Sequence, residues 1–118
     1  MINEKTSGIP FVKMYRGGGI PIPENADLNS LDFCKPGRYL CDAQSKAQTL
    51  SNCPATKAFI MHVEHMTADG TPSTYINREI VENDKAGRYK QLVMIKRSTS
   101  EVTYYPWMKY TFTEVTTT

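Results

Sequence analysis

Chemistry in this chain would have to use His62, His65, the thiols of Cys34, Cys41 and Cys53, and the carboxylates of Glu79, Glu82 and Asp84. His62 and His65 lie three positions apart, which in a strand sends them to opposite faces. A zinc ion accepts thiolate and imidazole in a tetrahedral array, but the cysteine spacings lack the paired C-x2-C knuckle of a strong zinc site. Buried small thiols are the simpler reading. A Cys/His nucleophilic pair has no flanking signature behind it. Glycoside hydrolysis needs two carboxylates across a cleft, about 5 to 9.5 Å apart. Glu79, Glu82 and Asp84 read instead as a solvated strand end. The glycines of "RGGGI" lack the Lys-Ser/Thr of a phosphate loop and read as flexibility. No catalytic residue, no metal and no cofactor is therefore expected.

What remains is "TYYPWMKYTF", residues 103 to 112, which holds five of the twelve aromatics and the single tryptophan. Strand alternation puts Tyr105, Trp107 and Lys109 on one face and Tyr104, Met108, Tyr110 and Phe112 on the other. The second set is apolar enough to be core. The first set is a candidate platform, able to stack on a pyranose face and hydrogen-bond its hydroxyls. Two directions stay open for the indole of Trp107: outward as that platform, or inward as core packing behind the Pro106 bulge. Pro106 has no amide donor and belongs at an edge, a bulge or a strand start.

The elements that must position these groups are short and β-like. "AFIMHVEHM" alternates Phe59, Met61, Val63 and His65, the expected core face, against Ile60, His62, Glu64 and Met66. "TADGTPS" follows, with Asp69-Gly70 a hairpin signal, and "TYINREIVE" returns as a strand. "NDKAGR" is the next turn. "YKQLVMIKR" then alternates Tyr89, Gln91, Val93 and Ile95 against Leu92, Met94 and Lys96, and "STSE" breaks it. Turn signals recurring every roughly 10 to 15 residues suit an antiparallel meander or sandwich. Earlier, "ADLNSLDF" offers Asp27 as N-cap to one or two helical turns, and Pro36-Gly37 turns into a strand. The fold expected is all-β, or β-rich with one short helix, as a small antiparallel sheet or sandwich.

Residues 1 to 26 differ. "RGGGIPIP" joins three flexible glycines to prolines that favour extended backbone, which reads as a linker or stem junction, with "IPFVKMY" (Phe11, Lys13, Tyr15) as a possible short strand. The domain proper is then expected over 27 to 118.

Bulk properties narrow the class. A chain of 118 residues fits one domain. It has 40% hydrophobic and 22% charged residues and a mean hydropathy of -0.45, ordinary for a globular protein. A formal charge of +2 and the absence of a basic run argue against nucleic acid. No apolar run approaches the roughly 20 residues of a membrane span, so membrane insertion is not expected. "MINEKTSGIPF" has no signal-peptide core, so synthesis in a cytoplasm is expected, and three cysteines then read as free thiols.

The order of these elements is similar to a known family. "NADLNSLDFCKPGRYLC", "LSNCPA", "AFIMHVEHM", "YKQLVMIKRST" and "YYPWMKY" resemble, in sequence and spacing, the pyocin-knob type domain of bacteriophage tail fibres and related tail-like particles. Asp27, Leu28, Asn29, Pro36, Gly37, Tyr39, Asn52, Pro54, Arg97 and Trp107 occupy corresponding places, over about residues 26 to 110. Two departures stand out: Tyr104 or Tyr105 replaces the first of two usual tryptophans, and Gln91 falls late in its strand. The resemblance implies a β-rich knob, often a homotrimer on a fibre, joined to its stem through "RGGGIPIP". No catalytic residue is carried over; together with the aromatic-Lys face of Tyr105, Trp107 and Lys109, the resemblance leads to the expectation of a virion tail protein, made in the host cytoplasm, that is structural and contacts host cell-surface carbohydrate. The alternatives from the residues are a virion oligomerisation module without ligand and a small glycan-degrading enzyme.

Overall fold

The computed structural model describes residues 19–66, 71–84 and 86–117. The "IPFVKMY" segment and the Asp69-Gly70 turn lie outside the described residues. The strands are β1 (Ile20–Pro21), β2 (Gly37–Cys41), β3 (Phe59–His65), β4 (Ser73–Glu82), β5 (Arg88–Lys96), β6 (Val102–Tyr104) and β7 (Met108–Lys109), with one short helix, α1 (Gln44–Ala47), and a 3-10 turn at Leu31–Phe33. They form one sheet in the order β1-β2-β3-β4-β5-β6, with β7 also on β5. Every pairing is antiparallel except β1 with β2. The fold is thus β-rich with one short helix, and the sheet, not the sandwich, is what forms.

Alternation makes the sheet one-sided. Phe59, Met61 and Val63 of β3, Ile76 and Ile80 of β4 and Val93 of β5 point to one face and are buried. His65, expected on that face, is exposed at the strand end, its Nε2 3.0 Å from the Cys34 carbonyl. Among the described residues no second sheet covers the core. Two connections do so, residues 22–36 and 42–58, contributing Ile22, Leu28, Phe33, Ala47 and Ala55. On the opposite face Val81 and Leu92 remain exposed.

The covering segments are held by local polar bonds, since they lack ladders of their own. Asp27 does not cap the helical turn as expected. Its Oδ1 accepts from Asn29 N at 2.9 Å and Asn52 Nδ2 at 2.7 Å, which ties the first cover to the second. Asn52 takes a left-handed φ of 56°, a conformation asparagine tolerates. Ser30 caps the 3-10 turn instead, its Oγ accepting from Asp32 N at 3.2 Å.

Residues 19–22, read as part of the junction, lie along β2. Gly19 is tight against it: a Cβ there would stand 3.1 Å from the Arg38 carbonyl. Ile22 N donates to the Leu40 carbonyl at 2.9 Å, and the Ile22 side chain is fully buried. Ile22→Ala should therefore lower stability by about 2–5 kcal/mol, the usual cost of truncating a buried isoleucine. Urea unfolding checks this; an unchanged midpoint would show that residues 19–22 are a mere tether.

Candidate functional site

The aromatic segment forms the broken edge of the sheet. Val93 pairs with Tyr104, so an unbroken register would set Trp107 opposite Lys90; Met108 stands there instead. One extra residue has been inserted, which is a β-bulge. Tyr105 N still donates to the Leu92 carbonyl at 3.1 Å, and Gln91 Nε2 donates to the Tyr105 carbonyl at 2.8 Å. Pro106, which has no N–H to leave unpaired, occupies the bulge.

The insertion reverses the alternation beyond it. Lys109 pairs with Tyr89 and so joins the face of Tyr104, while Met108 pairs with Lys90 on the open face. The expected core set Tyr104, Met108, Tyr110 and Phe112 therefore breaks up. Only Tyr104 packs on the core, whereas Met108 is 65% and Phe112 59% exposed. Tyr110 is half-buried, and its hydroxyl donates to Glu79 Oε2 at 2.7 Å.

Of the candidate platform, Tyr105 is 39% exposed, and exposed Lys109 holds its Nζ 5.7 Å from the Tyr89 ring centroid. Trp107 is half-buried against the core. Its Nε1 donates to the Asn52 carbonyl at 3.1 Å, and its ring lies 5.3 Å from Arg78 Cζ. One indole face thus rests on a buried cation.

Arg78 is the residue that sequence reasoning missed. It is fully buried on β4, in phase with Ile76 and Ile80. Its Nε and an Nη donate to Gln91 Oε1 at 3.0 and 2.5 Å, and the other Nη donates to the carbonyls of Leu28 at 2.6 Å and Phe33 at 3.2 Å. Tyr104 adds a second ring, 5.5 Å from Cζ. These partners are neutral, so carbonyl dipoles and ring quadrupoles stand in for a counter-ion. Burial pulls the guanidinium pKa down from its usual value. The signal available was phase: Arg78 and Gln91 both fall on inward positions of their strands.

Elsewhere the catalytic candidates remain apart. His62 and His65 fall on opposite sides of β3. The thiols of Cys41 and Cys53 each donate to a carbonyl two residues on, at 3.6 Å. Among the described residues no cluster of His, Cys, Asp and Glu could hold a metal ion. Glu82 is not the solvated strand end expected from sequence. It is buried, and its Oε2 accepts from Thr56 N at 2.8 Å and Lys57 N at 3.2 Å. Gly87 makes this possible, because a Cβ there would collide with Glu82 Oε1. Asp84 organises the following turn through the amides of Ala86 and Gly87, and Lys57 pairs with it at 2.7 Å.

The fold and this edge define a one-sheet β domain with loop cover and an aromatic, bulged closing strand. No family model and no curated protein matches the chain. The fold is similar to that of a solved N-truncated R2-type pyocin tail fiber, with a TM-score of 0.51 and 19% identity over 76% of this chain. The chain spans 31% of that fiber chain. At this identity the likeness is one of fold, and it agrees with the pyocin-knob resemblance of the sequence.

Two outcomes follow from the buried cluster. Arg78→Met should leave the Leu28 and Phe33 carbonyls and Gln91 Oε1 without a donor, each costing about 1–3 kcal/mol while buried. A clearly lower urea midpoint is expected, and an unchanged one would remove Arg78 from this role. Alkaline pH should act on the same region. Burial, with the Cys34 thiol, pushes the Tyr104 phenol up to about 12; burial and Glu79 push Tyr110 up to about 12; burial pushes Cys53 up to about 11. Ordinary values are near 10 for tyrosine and about 8.5 for cysteine. The folded state then holds these protons more tightly than the unfolded state, so their contribution is complete below about pH 8.5 and is lost between there and pH 12. Denaturant midpoints measured from pH 8 to 12 should fall, and less steeply in Tyr104→Phe.

Proposed function

We propose that this chain is the knob domain of a phage tail fibre or tail-like particle, a structural, non-enzymatic part of the virion tail that contacts host cell-surface carbohydrate. The observation that carries the reading is the likeness of this one-sheet fold to part of an R2-type pyocin tail fiber chain, joined to the order of motifs from Asp27 to Trp107. A knob of this kind works as one subunit among others, with a homotrimer the expected assembly. The groups offered to a sugar are Tyr105 on one side of the edge and, on the other side past the bulge, Lys109 with the part of the Trp107 indole that does not rest on Arg78. Rings and a cation on a fixed strand edge suit pyranose stacking and hydroxyl recognition.

A second reading has its own observation. Val81, Leu92 and Met108 leave apolar surface on the open face of the sheet, which suits a virion oligomerisation module without ligand.

Adsorption of the purified chain to a panel of bacterial strains, with light scattering for its mass, separates the two. Tyr105→Ala combined with Lys109→Ala should reduce adsorption about tenfold at unchanged melting temperature, the 1.4 kcal/mol scale of a lost contact or two. Unchanged adsorption would remove these residues from the contact. A trimer that adsorbs to no strain would favour the oligomerisation module.

A further inference from the structure

The open face of the sheet carries a row of polar side chains in direct register. Arg38 of β2 stands opposite His62 of β3, and His62 stands opposite Glu79 of β4. Glu64, two positions on from His62, shares its face. These four residues line a hollow of about 610 Å³. Arg38, His62 and Glu64 are exposed, and among the described residues none of the three has a side-chain hydrogen bond or an ion pair. Glu79 is held through its Oε2, which accepts from the Tyr110 hydroxyl at 2.7 Å and lies 3.6 Å from Lys90 Nζ.

We propose that this hollow binds a neutral, hydroxyl-rich saccharide unit; the inference rests on the reading of the chain as a glycan-contacting knob. Its volume falls in the range of about 300–1,000 Å³ usual for small-molecule sites. The charges around it balance, Arg38 against Glu64 and Glu79 against the neighbouring Lys90. An anion seated at Arg38 would meet two carboxylates, and a cation seated at Glu64 would meet the guanidinium. A hydroxyl both donates and accepts, so a polyol can use groups of either sign. Arg38 supplies N–H donors, Glu64 and Glu79 supply acceptors, and the two imidazole nitrogens of His62 supply one of each when neutral. Opposite charges that share a hollow without closing on each other keep those groups open to a ligand. Among the described residues no aromatic ring lines the hollow, so hydrogen bonds carry recognition there. Stacking is offered elsewhere on the same face. Glu64 pairs with Asn77, Asn77 pairs with Leu92, and Tyr105 N donates to the Leu92 carbonyl. That line crosses three strand spacings, about 14 Å at about 4.8 Å each. One glycan chain can therefore run across the strands, stacked on Tyr105 at one end and hydrogen-bonded in the hollow at the other.

An array of neutral oligosaccharides built from hexose, deoxyhexose and N-acetylhexosamine, with uronic-acid and phosphorylated ones beside them, tests this with the whole chain. At least one neutral saccharide should bind, and raising salt should change that binding little, because screening acts on charge pairing. Arg38→Met and Glu64→Gln, both at exposed side chains, should each weaken it at least tenfold at unchanged melting temperature. Glu101→Gln, the same kind of change at an exposed position between β5 and β6, should leave it unchanged. Neutral binding that survives either Arg38→Met or Glu64→Gln overturns the hollow as the site. If only charged saccharides bind, or no saccharide binds while the chain still adsorbs to bacteria, the neutral-sugar inference falls and the knob reading stands. A chain that binds no saccharide and no cells overturns both.

Discussion

The buried guanidinium of Arg78 is the constraint on which the rest of the molecule depends. A sheet covered by loops has a difficulty that a sandwich lacks, because the covering backbone carries carbonyls with no ladder to satisfy them. Arg78 supplies donors at that position. One Nη reaches both Leu28 and Phe33 in the first cover, while the other side of the fork grips Gln91 on β5. Gln91 in turn donates to the bulge at Tyr105, and Trp107, stacked on the same guanidinium, donates to Asn52 in the second cover. Two covers, two central strands and the closing edge thus meet at one side chain. Lysine could not substitute, since a point-like ammonium cannot present a planar fork to Gln91 and two carbonyls while lying flat under two rings.

The bulge is the second consequence of that centre. With Gln91 turned inward to meet Arg78, its amide needs a partner, and the Tyr105 carbonyl supplies one at the point where β6 stops. The inserted residue brings Trp107 over the guanidinium and reverses the sides taken by Met108 and Lys109. Register and polar satisfaction are therefore one event. Each strand piece on β5 is short, so the edge depends on side chains of the bulge as much as on its ladder.

Much of the fold was legible because period-two alternation is strong where one face is buried: β3, β4 and β5 carry the phase of Phe59, Ile76 and Val93 plainly. The short helix was not legible, since Gln44–Ala47 is a single turn with no side-chain cap and no room for a period. That loops and not a second sheet cover the core among the described residues could not be read either, because loops that cover a core leave no repeating signature. Arg78 and Glu82 were hidden for a different reason: charged residues are expected in solvent, and only their strand phase marks them as inward. At the candidate site, the alternation expected from sequence runs straight through Pro106. The proline announced a bulge, but a bulge shifts the phase by one, and that single step moved Met108 and Phe112 out of the core they were expected to fill.

The closing segment consequently serves two physical ends within ten residues. Up to Trp107 two of its side chains complete the interior: Tyr104 donates to the Asn29 carbonyl, and the Tyr104 and Trp107 rings shield Arg78. From Met108 onward the same backbone is exposed, its rings and cations paired across the strand edge instead of buried. Surface chemistry beyond the bulge can change at little cost to the core, because Met108, Lys109 and Phe112 are exposed and contribute little to it. Substitution of Tyr104 or Trp107 acts on the fold first, because both rings pack on the core. A tryptophan that looks, in sequence, like the centre of a binding platform packs in this architecture against the core, over the Arg78 guanidinium.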